Sequence, residues 1–269
     1  MEIDILNSNN EKVGKKKIPA QFNEEIRPDL IKRAVLVIQS HKKQSYGSSP
    51  EAGQRASAEL SRRRKKYRGS YGHGISRVPR KIMSRSGTRM NWVGAVAPGT
   101  VGGRKAHPPK SDKIWWKKIN RKERKKAIRS AMTVTLLKEM VSKRGHMVPK
   151  EYPFIIDSKF ESLSKTKEVI DALEKLGLKE ELSRISKKKV RSGKGKSRGR
   201  KYNKKKGPLI VISKECKLIK AINNIPGFDI VKVENLNAEL LAPGASMGRL
   251  TLWSEAAINR LEKEELFLK

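Results

Sequence analysis

The stretch PLIVISKECKLIKAINNIPGFDIVKVENL, residues 208–236, decides the fold class. Residues 209–212 are consecutive apolar side chains, a pattern typical of a parallel strand buried on both faces. Apolar residues at helical spacing follow over 218–222, Pro226-Gly227 turns the chain, and a second apolar run lies over 230–233. A strand, a helix and a strand in this order favour a right-handed crossover between parallel strands.

The same alternation of strands and helices extends outward to both ends of the chain. It predicts an α/β fold with a mainly parallel central sheet flanked by helices. In chain order, the other predicted elements are a hairpin over 1–18, a helix from Pro28 to about Lys43, a helix capped by Asn120 that runs to Gly145, a strand at 154–156, a helix that stops at Gly177, a helix near 179–185, a turn or short helix within 236–241, a strand around 250–252 and a helix capped by Ser254 that continues to Leu266.

Positive charge is concentrated in three segments of the chain. The 269 residues carry a formal net charge of +36, and only 36% of them are hydrophobic, below the globular norm of roughly 45–50%. Residues 45–112 contribute +12, residues 113–129 contribute +8 and residues 184–206 contribute +13, whereas the other 161 residues contribute +3. The sequence therefore describes a nearly neutral domain that carries very basic extensions.

Residues 45–112 predict a long, extended basic loop without a regular element. They hold 10 of the 20 glycines and 5 of the 12 prolines, and their aliphatic residues are scattered singly. Such a segment buries too little to offset its ordering entropy, so we expect it to become ordered on binding RNA. The predicted organisation is a globular body at 1–44 and 113–269, this loop inserted at 45–112, and a second basic arm at 186–208 within the body.

A net charge of this size requires a polyanion nearby, and nucleic acid is favoured over the rival, an acidic membrane surface. No run of 18 apolar residues exists, and the N-terminus lacks the pattern of a signal peptide. The single cysteine, Cys216, cannot form an internal disulfide. We therefore expect a cytoplasmic protein with no membrane partner that works within an assembly.

Motifs for enzyme chemistry are weak throughout the sequence. There is no Walker A loop and no dinucleotide fingerprint, and GKGKSRG at 193–199 follows a charge run rather than a strand. Asp157 follows a strand, where helix capping is favoured over catalysis, and Cys216 is favoured as a small buried hydrophobe over a nucleophile. The histidines lie far apart and are interpreted as surface or RNA-contacting residues: His41, His73, His107 and His146. The sequence thus predicts no catalytic residue, no cofactor and no metal site.

Basic runs of this kind can also be disordered, solvated tails that bind nothing. Aromatic residues within or beside these segments favour RNA binding over that alternative. Aromatic rings can stack on unpaired bases, arginines can hold phosphates with two hydrogen bonds, and glycines allow close approach to RNA. The aromatics in or beside these segments are Tyr67, Tyr71, Trp92, Trp115, Trp116 and Tyr202. Trp115 and Trp116 are expected to brace the base of the loop, against either RNA or the body.

Four long motifs give the chain a family resemblance. They are GTRMNWVGAVAPGTVGGRKAHPPK at 87–110, IWWKKINRKERKKAIRSAM at 114–132, KKVRSGKGKSRGRKYNKKKGPLIV at 188–211 and LLAPGASMGRLTLWSEAAI at 240–258. The first two resemble the long internal loop and following helix of the L4 family of large-subunit ribosomal proteins. The last two resemble its archaeal and eukaryotic branch, and the short C-terminus resembles the archaeal form.

The resemblance implies a structural component of the large ribosomal subunit, one copy per ribosome, with an α/β body on the outer face. It implies that the loop threads through large-subunit (23S-type) ribosomal RNA to the polypeptide exit tunnel, near the tunnel protein L22, and that the protein helps subunit assembly. The loop tip that meets the nascent peptide would comprise Tyr71, Gly72, His73, Gly74 and Arg77.

Charge, aromatic character and the resemblance together give a set of candidate RNA-binding residues. In the loop these are Arg62, Arg63, Arg64, Lys65, Lys66, Arg68, Arg77, Arg80, Lys81, Arg85, Arg89, Trp92, Arg104, Lys105, His107 and Lys110. After the loop they are Trp115, Trp116, Lys117 and Lys118, and in the second arm they are Lys187, Lys188, Lys189, Arg191, Lys194, Lys196, Arg198, Arg200 and Lys201. The rival interpretations are an RNA-processing or RNA-modifying enzyme and an RNA chaperone that acts away from the ribosome.

Overall fold

The computed structural model describes residues 2–66, 69–87 and 89–268. The chain divides into two compact units, the first formed by Met1–Lys42 and Lys117–Lys269 and the second by Lys43–Trp116. Two residues from the sequence predictions, Tyr67 and Arg68, lie outside the described residues.

The first unit is built on a six-stranded sheet in the order β2-β1-β5-β10-β8-β9. Within it, β1 pairs antiparallel with β2, and the remaining neighbours pair in parallel. The strand bounds are β1 Glu2–Leu6, β2 Lys12–Lys17, β5 Ile155–Ile156, β8 Leu209–Ile212, β9 Asp229–Lys232 and β10 Thr251–Ser254. The prediction of a mainly parallel α/β sheet is confirmed.

Successive residues of the central strands point to opposite faces of the sheet, and each face carries its own hydrophobic cluster. Leu209 and Val211 of β8 belong to one cluster, whereas Ile210 and Ile212 belong to the other. All four side chains are buried. The continuous apolar run is therefore explained by a strand that has a core on both sides.

The helices cover both of these clusters. Their bounds are α1 Pro28–His41, α2 Arg121–Thr135, α3 Lys138–Lys143, α4 Thr166–Leu173, α5 Lys179–Ser186, α6 Leu218–Asn223, α7 Ala238–Leu241 and α8 Glu255–Lys263. Ser254 caps α8 as predicted, because its hydroxyl accepts a hydrogen bond from the Ala257 amide at 3.1 Å.

Several predicted element boundaries were wrong. The single helix predicted from Asn120 to Gly145 is two helices, because Leu137 has extended backbone angles (φ −88°, ψ 103°) between α2 and α3. Asn120 precedes α2 without a side-chain capping hydrogen bond. The last helix ends at Lys263 rather than at Leu266, and Cys216, interpreted as a small buried hydrophobe, is only half-buried.

The second unit contains a β-hairpin that the sequence did not predict. Strands β3 (Arg80–Ser86) and β4 (Arg89–Gly94) pair antiparallel, with Ile82 opposite Trp92. The prediction that residues 45–112 hold no regular element was therefore wrong. The hairpin was missed because its first strand, RKIMSRS, lacks apolar alternation; its apolar neighbours face each other only after pairing.

Candidate nucleic-acid interface

The second basic arm, residues 186–208, presents its cations to solvent. It leaves the end of α5, forms a short ladder between β6 (Lys189–Val190) and β7 (Tyr202–Asn203), and returns to β8. The nine predicted RNA-binding residues of this arm are all exposed, and none pairs with a carboxylate among the described residues. Lys188 and Lys201 lie 4.6 and 5.6 Å from the centre of the Tyr202 ring, so a cationic and an aromatic surface coincide here.

The returning end of the arm is fixed to the body through its backbone. Arg184 donates a hydrogen bond to the Lys206 carbonyl at 2.8 Å, and Arg249 donates to the Gly207 carbonyl at 2.8 Å. The Gly207 amide in turn donates to the Gly227 carbonyl at 2.8 Å. A Cβ on Gly207 would lie only 3.0 Å from that carbonyl oxygen, so a larger residue here would push the two segments apart by a few tenths of an ångström.

Arg249 is fully buried, although arginine is almost never fully buried unless its charge is paired. Besides Gly207 it donates to the Pro208 carbonyl at 3.3 Å, to the Leu240 carbonyl at 2.9 Å and to Asp229 Oδ2 at 2.6 Å. Burial would raise the pKa of Asp229, but the charge and hydrogen bonds of Arg249 outweigh it and lower that pKa. An ion pair between buried Arg249 and partly exposed Asp229, which Lys206 also contacts at 3.1 Å, therefore ties the arm to β9 and α7.

A buried carboxylate, that of Glu181 in α5, holds Arg184 in place. Arg184 donates to both Glu181 oxygens at 2.7 Å, the Met147 amide donates at 3.0 Å, and His146 Nδ1 lies 2.7 Å from Oε1. Burial alone would raise the pKa of Glu181, but the hydrogen bonds from Arg184, His146 and Met147 lower it to about 2. The interpretation of His146 as a surface or RNA-contacting residue was wrong, because it is only 5% exposed and serves this network.

In the second unit, the hairpin carries cations on an ordered scaffold. Arg80 donates to the Ser76 carbonyl at 2.5 Å and to the Val78 carbonyl at 3.2 Å, and its guanidinium carbon lies 5.9 Å from the centre of the Trp92 ring. Arg85 donates to the Gly87 carbonyl at 3.0 Å. Neither arginine pairs with a carboxylate in the described part of the chain, and these contacts restrict the direction of each side chain.

The other predicted residues of the second unit are mostly exposed. Arg62, Arg63, Arg64 and Lys65 lie at the surface without a carboxylate partner among the described residues, whereas Lys66 reaches Glu59 at 3.4 Å. Of the predicted tip, Arg77 donates to the Tyr71 hydroxyl at 3.2 Å, and Gly72 and Gly74 have positive φ. Exposed side chains complete the set: Arg89, Lys105, His107 and Lys110, with Lys81 and Arg104 half-buried.

Trp115, near the C-terminal end of the second unit, packs against Tyr46, near its N-terminal end. Its ring stacks on that of Tyr46, with centroids 5.5 Å apart and planes inclined by 20°. Lys43 and Lys113 lie 3.8 and 4.5 Å from the centre of the Trp115 ring. Trp116 is 47% exposed, and the side chains of Lys117 and Lys118 are exposed on the first unit.

The carboxyl edge of the central sheet, where α/β enzymes hold their ligands, is filled by protein contacts. Glu161 accepts hydrogen bonds from the Ser213 and Ser254 hydroxyls at 2.7 and 2.5 Å and from the Ser213 amide at 2.9 Å. Asp157 caps a 3₁₀ turn, as predicted, by accepting from the Lys159 amide. Burial raises the pKa of the Cys216 thiol, which makes it a poor nucleophile.

The part of the chain that the structure describes contains neither a candidate metal cluster nor a membrane-spanning helix. No group of three or more histidine, cysteine, aspartate or glutamate side chains there could hold a metal ion. Within the same residues, no helix combines the length and apolar composition needed to cross a bilayer.

These features define a class: a basic α/β protein with exposed cationic segments suited to contact a polyanion, since most of their cations pair with no carboxylate among the described residues. The model of the ribosomal protein L4/L1 family matches residues 17–264. Large ribosomal subunit protein uL4 of Nanoarchaeum equitans is 51% identical over 268 residues, covering 99% of this chain and 100% of that protein. The corresponding proteins of Archaeoglobus fulgidus and Methanocaldococcus jannaschii are 41% and 43% identical and cover 97–98% of this chain and 98–99% of theirs.

The chain belongs to the ribosomal protein L4/L1 family, and it is a ribosomal protein rather than an enzyme. This confirms the family resemblance and its archaeal character, since these three relatives are archaeal.

Sequence reasoning missed two residues that organise the basic segments. Tyr46 was overlooked because it is a single aromatic in a glycine- and serine-rich stretch, although its position before Gly47 at the edge of the loop is a usable signal. Arg249 was overlooked because a lone arginine resembles a surface residue; its setting between Met247 and Leu250 in an otherwise apolar run was the available signal.

Proposed function

We propose that this protein is a structural constituent of the large ribosomal subunit in the cytoplasm and that it binds the ribosomal RNA of that subunit. The observation that carries the proposal is the set of exposed cations on the arm at 187–201, which lack carboxylate partners among the described residues. The names of the three archaeal relatives, each a large ribosomal subunit protein, support the choice of particle.

In this proposal the body and the two basic segments have different roles. The body, residues 1–44 and 113–269, supplies a stable platform, and the segments at 45–112 and 186–208 reach into RNA. Each segment lowers the repulsion between RNA helices by placing cations between their phosphates, which helps the subunit to assemble. One copy of the chain per ribosome satisfies this role.

At the level of single residues, the arginines and lysines of both segments bind phosphates and the aromatic rings stack on unpaired bases. Arg62, Arg63, Arg64 and Lys65 form one dense group of such cations, and Lys187, Lys188 and Lys189 form another. Fixing the base of the arm through Arg184 and Arg249 reduces the conformational entropy that binding has to remove.

The loop has a further role in the proposal: its distal part lines the polypeptide exit tunnel. Tyr71, Gly72, His73, Gly74 and Arg77 face the nascent peptide, beside a neighbouring protein of the L22 family. Two of these residues are glycines with positive φ, which allow sharp turns in a narrow space.

The dependence of RNA binding on salt tests the proposal. Each neutralised phosphate adds roughly 0.7–0.9 to the slope of log affinity against log salt concentration. We expect the full chain to bind its large-subunit RNA with a slope of at least about five, because cations from both segments act together. Filter binding from 50 mM to 400 mM salt, roughly the range in which such slopes are read, gives the value.

The control for this measurement is small-subunit ribosomal RNA of the same length, which should bind more weakly at every salt concentration. Equal affinity for the two RNAs, or a slope no larger than about two, would count against docking on many phosphates of one specific site.

A further inference from the structure

The first basic segment contains a pocket where its two ends run side by side. Residues 46–54 form one wall and residues 102–109 form the other, and the cavity has a volume of about 340 Å³. That volume lies at the lower end of the range of roughly 300–1,000 Å³ seen for small-molecule sites. The whole pocket lies within the second unit.

Glycines hold the two walls together on either side of the cavity. A Cβ on Gly47 would lie 2.4 Å from the Ser111 amide nitrogen, and a Cβ on Gly53 would lie 2.4 Å from that of Arg104. Both clashes would be with backbone atoms, so the two chain segments can approach this closely only at glycine. The Ser48 amide also donates to the Pro109 carbonyl at 3.0 Å. The cavity is therefore a built feature of this segment.

An aromatic ring and two cations border the pocket. The Tyr46 ring stacks on Trp115 and is still 56% exposed, so part of its surface is open to a further partner. From the other wall, Arg104 and Lys105 line the pocket, and neither pairs with a carboxylate among the described residues. Those lining residues include no acid, and Gln54 adds an amide that can both donate and accept hydrogen bonds.

We infer that this pocket takes one unstacked nucleotide of RNA. The base continues the stack of Trp115 and Tyr46, Gln54 reads the edge of the base, and Arg104 and Lys105 hold the adjoining phosphates. The inference rests on the proposed function, because ribosomal RNA supplies the nucleotide. It goes beyond that function by assigning one base and its adjoining phosphates to a defined cavity, in which Gln54 contacts the edge of the base.

Charge decides between a nucleotide and a peptide as the occupant. A stacking ring and two uncompensated cations around one cavity match a flat base with an attached phosphate. A peptide segment would need an apolar lining or paired backbone groups, whereas much of this wall is glycine, serine and proline. Occupation by a peptide is kept as an outcome of the test.

The test uses the full chain on its large-subunit RNA, with affinity measured by filter binding and base reactivity read by chemical probing at each nucleotide. Stacking of one base contributes enough that Tyr46→Ala should weaken binding roughly 5- to 150-fold. The same variant should abolish protection of a single nucleotide and leave the other protected positions unchanged. Tyr46→Phe keeps the ring and should retain both properties.

A second variant fills the pocket without touching the aromatic stack. Ala52 lines the cavity and is exposed, so Ala52→Trp should exclude the base and remove the same single protection. Ala106→Trp is the matched control, because Ala106 is exposed and does not line the pocket.

The outcomes separate the two proposals. If the unmodified chain protects no nucleotide of this RNA, the proposed function fails. If it binds and protects RNA normally while Tyr46→Ala and Ala52→Trp give unchanged affinity and protection, the nucleotide pocket is overturned, and that result is also the one expected if a peptide occupies the cavity.

Discussion

Replacing Arg249 by alanine is expected to lower the free energy of unfolding by about 3 kcal/mol, the lower end of the range for breaking a buried ion pair, because Arg249 is fully buried whereas the Asp229 side chain is 31% exposed. The substitution removes the guanidinium that lies 2.6 Å from the Asp229 carboxylate, which keeps Lys206 as a partner at 3.1 Å. It also removes the hydrogen bonds to the carbonyls of Gly207, Pro208 and Leu240. Urea denaturation followed by circular dichroism measures the change.

Two further variants control this experiment. Arg249→Lys keeps the charge but cannot reproduce the planar fork of donors. Its urea midpoint should therefore fall between that of the unmodified protein and that of Arg249→Ala. Arg27→Ala removes an exposed ion pair of similar length, Arg27 to Asp29 at 2.7 Å, and should leave the urea midpoint nearly unchanged. Equal midpoints for Arg249→Ala and Arg27→Ala would show that the buried network does not support the fold.

Replacing the nine cations of the second arm by glutamine is expected to weaken binding to large-subunit RNA roughly a thousandfold or more at physiological salt. The reason is that each lost phosphate contact removes roughly 0.7–0.9 from the salt slope. The residues replaced are Lys187, Lys188, Lys189, Arg191, Lys194, Lys196, Arg198, Arg200 and Lys201. All are exposed, so the body should keep its native circular dichroism spectrum.

The matched control replaces the same number of exposed lysines outside the three basic segments. They are Lys15, Lys17, Lys32, Lys143, Lys167, Lys214, Lys217, Lys220 and Lys263. Both variants have the same net charge, so a difference in affinity measures the position of the charge rather than its amount. If both lose affinity equally, binding depends on net charge alone and the arm has no special role.

The fold class could be predicted because its signals are local. The run at Leu209–Ile212 is apolar on both faces of the strand. The helix and strand that follow it favour a right-handed crossover to a parallel neighbour. The break at Leu137 between α2 and α3 could not be predicted, because apolar residues continue through it at helical spacing. The hairpin at 80–94 was equally hidden, since its pairing of Ile82 with Trp92 exists only once the strands meet.

The candidate nucleic-acid interface could likewise be predicted only in part. Charge density alone identified the arm and the loop, because exposed cations need no partner to be recognised in a sequence. The residues that hold these segments depend on contacts between distant positions. Arg249 meets Gly207 and Asp229, which lie 42 and 20 residues away, and Tyr46 meets Trp115 from the opposite end of the loop. Only the folded chain brings these groups together.

The most direct measurement is hydrogen exchange of the full chain with and without large-subunit ribosomal RNA. Backbone amides of residues 95–112 and 187–201 should exchange at least about tenfold more slowly in the complex, which corresponds to roughly 1.4 kcal/mol of added protection. Amides of the buried strands β8 and β10 should be unchanged and serve as the internal reference. Exchange in the two basic segments that stays the same under saturating RNA would contradict the account.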